Sequence, residues 1–305
     1  MTYHQYLGVV LAGGVAGTLA ASLTAQQPAP PLTMKQLKPD VWVGLGGAGG
    51  NSTIIVGKTS VIIVDAKTNG AGAKALLAEV AKITPKPVTT AIITHSDGDH
   101  VNGLAAFPPG IKIIAHENVK KRLSVKVNSE ALGRSFDPLK PEGLPAETFT
   151  KSGKLTFGKQ EIDYTHFADG HTDGDAYLFL PKANVLHTGD LMFSGMYPVI
   201  DYSTGGWIGG MAAACDTMLR VGDAKTRVIP GHGALASKDD LRASRDMLHT
   251  VHERLAAMAK QGKTVEEVLA AAPTKDLDEQ WGKARPAAGF VRQAYTSLLH
   301  RNHTT

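Results

Sequence analysis

The sequence predicts a mixed α/β fold, α+β in its detail: two sheets packed face to face with helices outside, and a helical tail. Two observations predict it. Strand-like and helix-like segments alternate in two similar halves, and beyond Ser237 the pattern is helical alone. A third places chemistry on that scaffold, because His and Asp residues gather beside glycines where apolar strands end. At 305 residues the chain can bury a full core as one main domain with a tail.

Residues 7–25 carry no charge and pass into Gln26-Gln27-Pro28-Ala29-Pro30-Pro31. This predicts an export signal over 1–25 with cleavage near Ala25, then a linker over 26–40. The apolar stretch is broken by glycines, which suits a removed signal better than a permanent span. Met1–Tyr6 offers only His4 where Lys or Arg is usual. The expected location is periplasmic or secreted, with no stable membrane span once the signal is gone.

The main domain is expected over 41–237. Val41-Trp42-Val43 starts a strand and Gly44–Gly50 breaks it, while Ser52–Val56 and Ser60–Val64 form a hairpin across Gly57-Lys58-Thr59. The glycine stretch lacks the Lys-Ser or Lys-Thr of a phosphate loop and reads as a flexible flap. Ala71–Ile83 has helical spacing, Lys86-Pro87 punctuates, and Val88–Ile93 is a buried strand. A strand at 111–115 and a helix at 117–123 repeat the unit. The polar, Pro-rich stretch 124–150 predicts a lid, a binding loop or disorder. Strands return at 155–157, 162–166, 176–180 and 185–187, followed by a helix at 211–221 and a strand at 227–229. Residues 238–305 form the helical extension, where Thr264 stands three residues before Glu267 as in a capping box.

Lys and Arg number 32 against 28 Asp and Glu, a net charge of +4 that no run of like charges concentrates. Nucleic acid is therefore not an expected partner. Cys215 is the single cysteine, so no internal disulfide forms and thiolates do not build a metal site. It lies in a helical pattern as a small core residue.

Thr94-His95-Ser96-Asp97-Gly98-Asp99-His100 follows the buried strand directly. Side chains two apart on an extended backbone face the same side, so His95, Asp97 and Asp99 converge, and a bend at Gly98 brings His100 beside them. The other reading of the run is a polar turn capped by Asp99. Three further turns place His or Asp beside glycine: Asp169–Asp175 with His171, His187–Asp190, and Pro230-Gly231-His232-Gly233. Glycine removes the side chain that would block an ion, so the repetition is coherent.

The order of these pieces resembles the metallo-β-lactamase superfamily, with its His-x-His-x-Asp-His run, a distant His, an Asp after Gly and a last His after Gly. The resemblance covers about residues 40–235. It implies a four-layer αβ/βα sandwich with a two-metal site at one sheet edge. Carried over, His95 and His171 are ligands of one metal, Asp99, His100 and His232 of the other, and Asp190 bridges both. The implied cofactors are two divalent ions, zinc first, with iron or manganese as alternatives. The implied chemistry is hydrolysis by a metal-bound hydroxide, with Asp99 also orienting the nucleophile or shuttling its proton.

Asp97 departs from the family pattern, standing where the second His belongs, so the first metal has either a carboxylate ligand or one ligand fewer. As a carboxylate ligand it lowers the formal cluster charge from plus one to zero, which weakens the Lewis acid and favours harder ions. A related variant with Glu occurs in the superfamily's oxidative flavodiiron branch, so a di-iron oxidoreductase is one alternative. A β-lactamase and an inactive binding module are the others. Asp190 sides with the glyoxalase-like and lactonase-like branches, and the lower cluster charge fits neutral or weakly charged small molecules. The expected function is thus hydrolysis of an ester, lactone or related acyl bond. His166 and His187 read as core or supporting histidines. Asp65 orients a ligand or caps a turn. Met192, Phe193, Met196 and Tyr197 wall a pocket or fill the core. The tail packs on the sandwich, helps form a homodimer or caps the substrate.

Overall fold

The structure, a computed structural model, describes residues 31–303. The expected export signal lies outside them. Thr33–Lys38, expected as linker, is instead the edge strand β1, paired antiparallel with β2 (Val41–Leu45). The linker therefore ends earlier than residue 40. In Lys35-Gln36-Leu37-Lys38 a lone apolar residue gives almost no strand pattern; the pairing partner supplies the order, and Leu37 enters the core.

After β2 come β3 (Ser52–Val56), β4 (Val61–Val64), α1 (Gly70–Ile83), β5 (Val88–Ile92), the short α2 (Gly98–Val101), β6 (Lys112–His116) and α3 (Glu117–Leu123). The stretch 124–150 is ordered: β7 (Val127–Ser129) and β8 (Arg134–Phe136) make a small hairpin, and β9 (Glu147–Phe149) joins the main sheet. The first sheet has seven strands in the order β1-β2-β3-β4-β5-β6-β9, antiparallel to β4 and parallel thereafter.

The second sheet contains β10 (Ser152–Phe157), β11 (Gln160–His166), β12 (Ala176–Leu180), β13 (Val185–Phe193) and, beyond α4 (Ile208–Leu219), β14 (Arg227–His232). Both faces of both sheets are covered, which is why the central strands are continuous apolar runs. Ile55, Ile62 and Ile92 meet Ile162, Leu178 and Ile229 between the sheets. Ile54, Ile63 and Ala91 face outward onto Leu76 and Val80 of α1. The result is the expected four-layer sandwich.

The tail comprises α5 (Lys238–Lys260), α6 (Val265–Ala270), α7 (Asp278–Trp281) and α8 (Ala287–His303). The Thr264–Glu267 capping box is formed. The tail packs on the outer face of the second sheet, where Leu241, Val251, Phe290 and Tyr295 share one core with Leu186, Met211 and Cys215. Phe290 stacks on Tyr197 with ring centroids 4.6 Å apart. Burial pushes the Cys215 thiol up to about 12, as befits an inert core residue. No helix among the described residues is long and apolar enough to cross a membrane.

Candidate metal centre

The carboxyl end of β5 delivers the His95–His100 run, and the end of β4 delivers Asp65, whose φ of 62° is the left-handed region that Asp tolerates. Asp65 organises the run. It accepts from Thr94 N at 2.9 Å and Thr94 Oγ1 at 2.8 Å, and its Oδ2 lies 2.7 Å from His100 Nδ1. Burial would raise the Asp65 pKa, but the charge and hydrogen bond of His100 hold it well below the usual range. Asp99 is not a cap: the N-cap position of α2 is Asp97, whose side chain makes no capping bond.

Three imidazoles are anchored through Nδ1 so that Nε2 faces inward. His100 Nδ1 meets Asp65, and His171 Nδ1 lies 3.0 Å from the carbonyl of Val199. His95 Nδ1 lies 3.0 Å from Thr94 Oγ1, which already spends its own proton on Asp65. Anchoring through Nδ1 turns each Nε2 toward the cluster, the nitrogen that a metal takes once the ring is neutral. The 171 turn is fixed by Asp175, which accepts from His171 N at 2.6 Å and Thr172 N at 2.9 Å.

Asp190 lies within β13, which does not stop at His187 as the sequence pattern predicts. Gly189, at φ 52°, kinks the strand where its register with β14 shifts, and the strand runs on to Phe193. The kink aims Asp190 at the histidines. Its Oδ1 is 3.2 Å from His100 Nε2, and its Oδ2 is 3.4 Å from His232 Nε2, 3.7 Å from His171 Nε2 and 3.8 Å from His95 Nε2. A Cβ on Gly231 would stand 1.8 Å from Asp190 Oδ1, so the glycine before His232 is a steric requirement.

All seven expected residues are thus brought together. The ligand atoms of His95, Asp97 and His171 lie within 4.8 Å of one another, as do those of Asp99, His100 and His232. Asp97 Oδ2 is 3.2 Å from His171 Nε2, and Asp99 Oδ2 is 3.1 Å from His232 Nε2. His95 Nε2 is buried without a hydrogen-bond partner, a donor-set feature that a cation would satisfy. Residues of this kind, converging in this way, fit divalent ions. Burial and the neighbouring positive charges of His100 and His171 pull His95 down to about 4. Against burial, the Asp97 hydrogen bond and charge carry His171 up to about 10, and Asp190 and Asp99 carry His232 up to about 9.

Two supports escaped the sequence reading. Lys67 is buried and donates to the carbonyls of Gly46 at 2.9 Å and Gly50 at 2.6 Å, while burial lowers it to about 8. Gly50 N donates to the Asp99 carbonyl. The glycine-rich stretch is therefore not a free flap but a pinned floor under the His95–His100 run. A Cβ on Gly50 would stand 2.2 Å from the His100 ring. Asn51 bridges the halves, donating through Nδ2 to Pro230 O at 2.9 Å and Gly233 O at 3.0 Å. A buried lysine and a bridging asparagine carry no local pattern, so only the assembled fold reveals them.

His187 Nδ1 pairs with Thr53 Oγ1 at 2.8 Å and its Nε2 lies 3.5 Å from Asp65, so it supports rather than joins the cluster. His166 stacks on His116 with centroids 3.6 Å apart, away from the cluster. Phe193 and Met196 line a pocket of about 290 Å³ over the site, whereas Met192 and Tyr197 belong to the core. Leu132 and Arg134 from the β7–β8 hairpin, and Arg285 from the tail, complete its wall.

The chain is 24% identical over 224 residues to "Metallo-beta-lactamase type 2" of Bacillus sp. (strain 170), covering 71% of this chain and 82% of that protein. It is 24% identical over 293 residues to "Linear primary-alkylsulfatase" of Pseudomonas sp. (strain ATCC 19151), covering 78% of this chain and 54% of the other. Among solved structures it is similar to the sec-alkylsulfatase Pisa1 from Pseudomonas sp., with TM-score 0.69 and 17% identity, covering 88% of this chain. The chain spans half the length of that alkylsulfatase. It also matches a metallo-beta-lactamase from Pontibacter korlensis, with TM-score 0.58 and 18% identity, covering 72% of this chain and 99% of the other. The Metallo-beta-lactamase superfamily profile matches residues 45–254, well over half the chain, and the chain belongs to that superfamily.

Proposed function

We propose that the protein is a binuclear metallo-hydrolase acting on an ester, lactone or related acyl bond of a small molecule. One observation carries the reading: Asp190 stands between the His95–Asp97–His171 and Asp99–His100–His232 groups and reaches Nε2 atoms of both. His95, Asp97 and His171 would hold one divalent ion and Asp99, His100 and His232 the other, with Asp190 within reach of both groups and zinc the first expectation. When bound, the ions supply a Lewis acid and lower the pKa of water toward neutrality. The Asp99 side chain is 24% exposed, lines the pocket and, with its pKa held low by His100 and His232 against burial, is ionised at neutral pH. It therefore orients the attacking nucleophile and accepts a proton at Oδ2. Phe193 and Met196 give the pocket beside it an apolar wall.

The test is a panel of 4-nitrophenyl valerate, a simple lactone, a chromogenic cephalosporin and 4-nitrophenyl sulfate, run on protein loaded separately with zinc, manganese or iron. The reading expects acyl ester and lactone turnover that is lost in His100→Ala and Asp190→Ala. Turnover of the cephalosporin or the sulfate ester alone transfers the assignment to those chemistries. Oxidant consumption by the iron form without hydrolysis makes it an oxidoreductase. No turnover in any metal form makes it a binding module.

A further inference from the structure

Arg285 reaches the catalytic pocket from the segment between α7 and α8, beyond the matched domain. Its Nη1 is buried and has no hydrogen-bond partner, although a guanidinium offers donors in a fixed fork. Its Nη2 lies 3.4 Å from Gln293 Oε1. Gln293 in turn donates through Nε2 to the Ala131 carbonyl at 2.8 Å, in the β7–β8 turn, and its Oε1 lies 3.4 Å from Ile200 N. One side chain thus ties the tail, the hairpin and the segment after β13, the walls that hold Arg285 over the site. Arg134, on that hairpin, lines the same pocket with its guanidinium carbon 4.9 Å from the Phe136 ring centroid.

We propose that Arg285, with Arg134 lining the same pocket, is a recognition site for an anionic oxygen group, a carboxylate in the first instance, carried by the substrate away from its scissile bond. The proposal rests on the acyl-hydrolase reading and names the substrate class within it. A buried donor left unmade costs about 1–3 kcal/mol, so a guanidinium that lines the pocket with one nitrogen unpaired calls for an acceptor. With Asp97, Asp99 and Asp190 ionised beside two divalent ions, the cluster grips an anion weakly, and the arginines become the positive charge that orients one. A planar fork matches the two oxygens of a carboxylate. The substrate expected from the neutral cluster alone was neutral or weakly charged; Arg285 moves the expectation to a monoanion whose charge lies outside the reacting bond.

Mono-4-nitrophenyl glutarate and 4-nitrophenyl valerate differ by a terminal carboxylate against a methyl group, so their kcat/KM ratio isolates anion recognition. The wild type is expected to prefer the glutarate ester. Arg285→Gln is expected to lower that ratio roughly 10- to 100-fold, the range of a hydrogen bond to a charged group, mainly through KM. Arg285→Lys should fall between them, since it keeps the charge and loses the fork. Glutarate binding, read by calorimetry on protein as purified and at matched metal content, should weaken by a similar factor. An unchanged ratio together with unchanged glutarate affinity overturns the proposal. If the wild type cleaves neither ester, the acyl-hydrolase reading fails while the glutarate titration still decides on Arg285.

Discussion

His100 Nδ1 lies 2.7 Å from Asp65 Oδ2, with both side chains wholly buried. The same carboxylate holds Thr94, so it sets the tautomer of one inward-facing imidazole and the position of the residue that anchors another, His95. Asp65→Asn keeps the size and tolerates the left-handed backbone, but turns one acceptor into a donor facing His100 and Thr94. Metal affinity is expected to fall about 10- to 100-fold. A titration against a competing chelator reads it, and an affinity equal to wild type would remove Asp65 from the support of the site.

Gly50 tests the same histidine by volume instead of charge. Its backbone is not left-handed, so Ala is tolerated conformationally, yet the added methyl would meet His100 Cε1 at 2.2 Å. Overpacking of this kind costs roughly 1–3 kcal/mol. The expected outcome for Gly50→Ala is loss of about one bound ion per chain, with the Asp99–His100–His232 group the one disrupted. Gly289→Ala, where nothing lies within 4 Å, is the control. Full metal content in Gly50→Ala by elemental analysis would defeat the expectation.

The strand-end ligands were legible because each carries its own local mark: an apolar strand before His95, and glycine beside His171, Asp190 and His232. What was not legible is long-range. Gly189 reads as a strand terminator in sequence, yet parallel pairing with β14 carries β13 through the kink to Phe193. The glycine-rich stretch reads as mobile until Lys67, seventeen residues from Gly50, is seen to pin it. Arg285 sits in a helical tail with no motif around it, and only the packing of that tail against the second sheet brings it to the pocket.

Metal loading should release protons. Without metal, His100, His171 and His232 are all raised, His171 to about 10 and His232 to about 9, because nearby carboxylates outweigh the burial that disfavours imidazolium. Asp190 and Asp97 are lowered and already ionised at neutral pH. Ligation needs neutral imidazole, so at least about two protons per chain should leave at pH 7.5, read by calorimetry in buffers of different ionisation enthalpy. For the metal-free protein the raised histidines contribute stability that is complete below about 6.5 and lost as pH rises through about 9 to 10. The lowered Asp65 contributes above about 3.8 and loses its contribution as pH falls. A melting temperature measured with chelator should therefore be highest between these limits, and proton-neutral metal binding would contradict the raised His171 and His232.

Asp97 places a carboxylate beside the two histidines of the His95–His171 group. Its Oδ2 lies 3.2 Å from His171 Nε2, and burial, which would raise its pKa, is outweighed by the His171 hydrogen bond and charge, so it enters any metal site as an anion. A carboxylate there lowers the net charge of the cluster and suits harder ions, whereas an imidazole suits zinc. Asp97→His should therefore shift metal content toward zinc when protein is produced with zinc, manganese and iron together, and should raise hydrolysis by the zinc form. Asp97→Asn separates charge from shape, since it keeps the volume and loses the anion; it should weaken the manganese and iron forms more than the zinc form. If all three proteins take up the same metals in the same ratio, Asp97 does not coordinate, and the His95–His171 ion is held by those two histidines and Asp190.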